Sequence, residues 1–267
     1  MTDASGTVRA LSMSLVILSA GCVPDGAGDA PVPAEQVAQV GADDSAFTYS
    51  IIDLTSDRAA VVALLQARVM PTVVEAGATP YSVWLPLEVT EEALRRALSS
   101  TGGARTPFTP LGKAQLGLML AWPGQGVQVE VLDSALITLD GVEAVTTRTF
   151  DPVYLAAGLR VPTGRGFYIH RESRYRVENV ADVVRLSEEA WETFEPTFGA
   201  QVTGLFRERT DSDDVARLLR IVWYRSLEAW LESRGNRDPE SRQRFVERNR
   251  MRLEGSGVAI ATDRAVQ

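Results

Sequence analysis

The chain has 267 residues, 45% of them hydrophobic and 23% charged, with a formal net charge of -8. That balance suits one soluble globular domain or two small ones, and the acidity argues against nucleic acid as a partner. A single cysteine, Cys22, and a single histidine, His170, exclude an intrachain disulfide, a cysteine metal cluster and a multi-histidine metal site.

Residues 1–22 place Arg9 before an apolar run, Ala10 to Ile17, then Ser19, Ala20, Gly21 and Cys22. The run is too short to cross a bilayer as a mature helix. It resembles a bacterial lipoprotein signal peptide, which implies a lipid on Cys22. Where that pattern favours leucine three residues before the cysteine, this chain has Ser19. An ordinary secretory signal, or a short buried run with an unmodified thiol, stays open. Val23 rather than aspartate after the cysteine points to the outer membrane of the cell envelope. Residues 23–45 are rich in Pro, Gly, Ala and Asp and predict a disordered tether.

Phe47 to Leu54 predicts a strand. A helix follows to about Glu75, capped by Thr55 or Ser56, kinked by Pro71 and stopped by Gly77. Tyr81 to Leu87 predicts a second strand, and Thr90 caps a short helix to Leu98. After a Gly/Pro/Thr loop, Ala114 to Trp122 predicts a third strand. Val127 to Leu139 has an ambiguous period, and its place in the order favours a helix. Val142 to Phe150 predicts a fourth strand, and residues 162–166 read as a linker.

Phe167 to Val177 predicts a strand with two faces. One carries Phe167, Ile169, Arg171, Ser173 and Tyr175; the other carries Tyr168, His170, Glu172, Arg174 and Arg176. A helix from about Val180 to the Pro196–Gly199 stop has a broad apolar stripe. Gln201 to Arg209 and Ala216 to Tyr224 predict a hairpin, with Gly204 as a bulge or a close approach. Ser226 caps a helix carrying Leu227, Trp230 and Leu231. Asp238-Pro239 opens a charged, mostly solvated helix, and Gly257 to Thr262 predicts the last strand.

The two halves repeat one strand–helix–strand–strand–helix–strand plan. The predicted class is therefore α+β, with tandem ferredoxin-like repeats over 46–160 and 166–267 forming an intrachain α+β barrel, a pseudo-dimer. Each sheet has helices on one face, and its other face needs the second sheet as cover.

Val202–Asp211, Arg220–Arg234 and the Trp191–Phe198 helix end carry a further likeness. These stretches resemble the NIPSNAP family and, more loosely, the antibiotic-biosynthesis-monooxygenase-like dimeric α+β barrels. The resemblance implies a barrel of two such units. It implies no fixed catalytic set; no cofactor is expected.

If the polar face of strand 167–177 looks between the sheets, His170, Glu172 and Arg174 sit together there, with Arg207, Arg209 and Arg220 joining from neighbouring strands. Such a cluster can orient a small acidic ligand, with His170 as a general base. Cross-strand ion pairs on a wet face are the alternative. Trp191, Trp223, Trp230, Tyr224 and Phe206 coincide with apolar stripes and read as core rather than pocket wall. Asp211, Asp213 and Asp214 lack the later Gly and Glu of a calcium loop. The sequence thus predicts a lipid-anchored envelope protein binding a small ligand or protein partner. A cofactor-independent monooxygenase or isomerase working between the sheets is the alternative.

Overall fold

The computed structural model describes residues 45–87, 90–100, 108–124, 126–155, 165–209, 212–235, 238–253 and 258–266. The signal peptide, Cys22 and the tether up to residue 44 lie outside them, as do residues 162–164 of the linker. Ser45, expected as the tether's last residue, is instead 3% exposed and opens β1 (Ser45–Leu54).

After β1, the Asp57 side chain accepts a hydrogen bond from the Ala60 amide at 3.0 Å. The cap of α1 is therefore Asp57, one or two residues later than expected. Helix α1 is α-helical over Arg58–Leu64, π-helical over Leu65–Val69 and α-helical again over Met70–Glu75. The wide turn answers Pro71, which has no amide proton and crowds the carbonyl four residues back. The Met70 amide reaches back to the Leu65 carbonyl, and the Thr72 hydroxyl donates to the Arg68 carbonyl at 2.9 Å.

Then come β2 (Thr79–Pro86), α2 (Glu91–Ser100), β3 (Phe108–Pro110), β4 (Gln115–Pro123), α3 (Val129–Ile137) and β5 (Val142–Leu155). The ambiguous stretch is thus a helix, and Thr90 caps α2 through the Ala93 amide at 3.1 Å. The second half runs β6 (Arg165–Arg176), α4 (Val180–Phe198), β7 (Ala200–Glu208), β8 (Val215–Tyr224), α5 (Leu227–Arg234), α6 (Pro239–Arg250) and β9 (Val258–Val266). Pro196 is held inside the last turn of α4. The helix ends at Gly199, whose φ of 56° is the left-handed conformation glycine adopts without strain.

The strands run β2-β4-β1-β5-β7-β8-β6-β9, and β9 pairs back onto β2. The sheet therefore closes. Within each half, the first strand lies between the third and fourth and the second is at the margin, which is ferredoxin-like order. The halves join twice in the same way: the fourth strand of each, β5 or β9, pairs with the second strand of the other, β7 or β2. Short β3 adds to β9 in parallel. This is the tandem-repeat α+β barrel.

Three cores follow from closure. Outside the first sheet, Val61, Leu65, Val69, Leu132 and Leu136 of α1 and α3 pack on strand residues such as Leu118 and Trp122. Outside the second, Val183, Trp191, Phe194 and Trp230 pack on Ile169, Val202 and Leu218. Inside the barrel, Phe47, Tyr49, Tyr81, Trp84, Met119 and Phe150 of the first half meet Tyr168, Phe206, Leu219 and Ile221 of the second. Phe206 lies 4.9 Å from Phe47 and 6.1 Å from Tyr81, ring centre to ring centre.

The register of β7 against β8 shifts between Val202 and Gly204. A Cβ on Gly204 would collide with the Phe206 ring, so the bulge needs a glycine. Because Phe206 bridges the halves, Phe206→Ala should lower unfolding free energy by about 3–5 kcal/mol while leaving one cooperative transition. Urea unfolding followed by tryptophan fluorescence and by circular dichroism checks this. Two separate transitions would show that the halves are independent.

Candidate functional site

The inward face of β6 puts His170 at the centre of the barrel, 1% exposed. Its Nδ1 lies 2.8 Å from the Tyr49 hydroxyl of β1. The Trp84 ring of β2 meets the imidazole at 4.4 Å between centres, edge to face. Burial drives the His170 pKa down to about 3, so the ring is neutral in ordinary buffers. Burial also pushes the Tyr49 hydroxyl well above its usual value, with Glu172 adding to the rise, so one neutral group donates to the other.

Around this pair the wall is aromatic but not wholly apolar. Trp84 Nε1 is buried without a hydrogen-bond partner. The Tyr81 hydroxyl is buried against Thr203, and burial raises its pKa as it does that of Tyr168. A Cβ on Gly117, which pairs with both Ile51 and Trp84, would meet the Trp84 ring at 3.4 Å.

Two residues along β6, Glu172 begins a charged network. Arg148 of β5 bonds Glu172 at 2.6 Å and Glu208 of β7 at 3.0 Å, and Arg217 of β8 adds a contact to Glu208 at 3.2 Å. Arg148 also lies over the Phe150 ring at 5.0 Å. This network caps the aromatic interior; its charges are paired, although Arg148 Nε and Nη2 and Glu208 Oε2 are buried without a hydrogen-bond partner.

The structure therefore divides the predicted cluster. His170 and Glu172 share the inward face. Arg174 lies beyond them and is exposed. Arg207 pairs across the ladder with Leu218, a residue of the helix-side core, so it faces outward. Arg209 forks onto Asp151 through Nε at 2.9 Å and Nη2 at 2.7 Å. Arg220 lies on the helix-covered side, opposite Arg171.

The bulge explains the error for Arg207 and Arg209. Unbroken alternation from Ala200 and Val202, both helix-side, would send 207 and 209 inward; one extra residue reverses the parity. Among the predicted aromatics, Trp191, Trp230 and Tyr224 are helix-side core, Phe206 is interior and Trp223 is partly buried beside the interior. Asp213 and Asp214 are exposed, and Asp211 lies outside the described residues. Among the described residues no three His, Cys, Asp or Glu side chains converge as a metal site.

Sequence reasoning missed Tyr49, Trp84 and Arg148, all from the first half. It also missed Arg171 and Arg248. Inward alternation of Phe47, Tyr49 and Ile51 held a signal for Tyr49 only once β1 was known to neighbour the barrel's centre.

No protein-family model matches the chain, and no curated protein sequence matches it. Solved structures do. An anthrone oxidase-like protein superposes with a TM-score of 0.52 at 11% identity, over 85% of this chain and 94% of that one. A candidate monooxygenase from Lactobacillus acidophilus NCFM gives 0.49 at 8% identity, over 83% and 94%. A dye-decolorizing protein from V. cholerae gives 0.44 at 12% identity, over 83% and 93%. The first of these is similar in fold, and with the strand order it gives the chain a ferredoxin-like α+β barrel architecture within one polypeptide.

His170 gives a direct pH test. Its folded pKa lies below its unfolded value of about 6.5, so the unfolded chain takes up the proton first. Stability is therefore full above about pH 6.5 and falls as pH drops towards the folded value of about 3. Between about pH 6 and 5, before most carboxylates titrate, the loss should approach 1 kcal/mol per pH unit. His170→Phe should flatten that slope in urea titrations. The chain's sole imidazole resonance should not move between pH 8 and 5; a midpoint near 6.5 would show it open to solvent.

Proposed function

We propose that the protein is a lipid-anchored bacterial envelope protein whose barrel interior binds a small, planar, largely apolar ligand bearing a hydrogen-bond acceptor. The observation that carries this reading is Trp84 Nε1, buried without a partner beside the Tyr49–His170 pair. A buried donor left unpaired costs about 1–3 kcal/mol, which an acceptor atom on a ligand would offset. The surrounding rings supply apolar and edge-to-face contacts. A small acidic ligand fits this interior less well, because Arg148 is already held by Glu172 and Glu208.

Binding fits better than catalysis by His170. A general base works best with a pKa near the operating pH, and burial has taken His170 far below it. The enzyme reading, a cofactor-independent monooxygenase or isomerase, would need another group to take the proton. Within the wider fold, the likeness of Val202–Asp211 and Arg220–Arg234 to NIPSNAP proteins supports that narrower kinship.

The anchor belongs to the same proposal. The apolar run Ala10 to Ile17 before Cys22 supports lipidation, and Val23 after it supports an outer-membrane address. Cys22→Ser should move the protein from the membrane to the soluble fraction of its bacterial host; undiminished membrane retention would refute the anchor.

Polycyclic aromatic ketones are the first ligand class to test, since they join flat rings to a carbonyl acceptor. The name of the anthrone oxidase-like protein points the same way. One such compound should raise Tm by several degrees, and Trp84→Phe, which keeps a ring but removes the donor, should lose most of the gain. No stabilisation across the class, or an equal gain in the variant, would sink the reading.

A further inference from the structure

A second cluster lies on the opposite face of β6. Arg171 of β6 and Arg220 of β8 are directly paired in the antiparallel register. Like charges in that relation repel. Arg248, in the last turn of α6, reaches the same place and is 7% exposed. It donates to the Ser187 hydroxyl of α4 at 3.2 Å, and Ser187 in turn donates to the Val183 carbonyl at 2.6 Å.

The three guanidiniums meet in a cleft between the second sheet, α4 and α6. Tyr175, Ser187, Asn249 and Arg252 also line it. Among the described residues on its wall none is acidic. The Nε of Arg171, of Arg220 and of Arg248 is buried without a hydrogen-bond partner. The electrostatics agree with the geometry. Burial, then the charges of Arg234, Arg248 and Arg252, draws the Arg171 pKa down to about 9. Burial, then Arg248 and Arg171, lowers that of Arg220.

Structural arginines in a core are ordinarily paired with carboxylates, because an uncompensated buried charge costs several kcal/mol. Here the described neighbours that could compensate are the Ser173 and Ser187 hydroxyls, the Asn249 amide and the Tyr175 and Tyr224 phenols. We propose that this cleft is a binding site for a phosphate-class oxyanion, held by Arg171, Arg220 and Arg248. Guanidinium forks match such oxygens in both charge and geometry. The cleft's free volume, about 20 Å³, leaves room for little more than one oxygen-sized group. One oxygen of the ligand therefore enters among the guanidiniums, and the rest of it, a free oxyanion or the terminal phosphate of a larger molecule, stays on the open side. The site is independent of the barrel interior, which lies across the sheet.

The test is a thermal-shift titration of the purified chain in chloride buffer, with inorganic phosphate or glycerol 1-phosphate added at constant ionic strength. Either should raise Tm saturably. A response to both assigns a free oxyanion, and a response to the phosphomonoester alone assigns a terminal phosphate. Arg220→Met and Arg248→Met should each weaken the apparent affinity by about tenfold or more, as expected for loss of a charge-assisted contact. Arg174→Met, an exposed arginine on the other face of β6, should respond as the parent does. In phosphate-free buffer Arg220→Met should be at least as stable as the parent, since it relieves the repulsion, so a lost response is not misfolding. Equal Tm in phosphate, phosphomonoester and chloride would overturn the proposal. So would an unchanged response in both variants.

Discussion

The structure depends on one constraint: neither four-stranded sheet can leave its inward face in water. Each half covers its outer face with helices, and neither has anything of its own to cover the other side. Closure through β5·β7 and β2·β9 brings the two bare faces together and removes the free edges of the eight-stranded ring. The interior is then an unavoidable meeting of side chains from both halves. Phe47 and Tyr81 touch Phe206, and Tyr49 and Trp84 touch His170. The chemistry at the centre is a by-product of the same burial that stabilises the fold.

That origin accounts for the character of the two polar places. Within the barrel, burial penalises charge, so its central groups are neutral: imidazole, phenol and indole. Charge survives only at the end, where Arg148, Glu172, Glu208 and Arg217 compensate one another. On the helix side of the second sheet the balance differs, because the guanidiniums of Arg171, Arg220 and Arg248 adjoin hydroxyl, amide and phenol groups. Among the described residues the first half shows no such arginine cluster beneath its helices. There Ser50, Thr147 and Asp133 form a short hydroxyl–carboxylate chain.

Local signals made much of the fold legible. Ser226 and Asp238 cap their helices through the Ala229 and Ser241 amides, as their positions before apolar or proline-led runs imply. The alternation of β6 separated His170 and Glu172 from Arg171 and Ser173. What failed was parity and neighbourhood. One extra residue near Gly204 turned Arg207 and Arg209 outward. The helix Pro239–Arg250, expected to be mostly solvated, buries Ser241 and Arg248, because two buried residues in a charged helix leave almost no periodic trace. Trp84 and Tyr49 could not be joined to His170 without the strand order, which is long-range information that no local window holds.

The chain's continuity from the first sheet to the second has a consequence of its own. Barrels of this design built from two separate polypeptides come apart on dilution and carry every substitution twice. Here pairing is intramolecular, so the barrel's integrity does not depend on how much protein is present. Each lobe can also change its lining alone. That freedom lets one lobe supply the indole and the other the imidazole, and lets the second gather arginines beneath its helices.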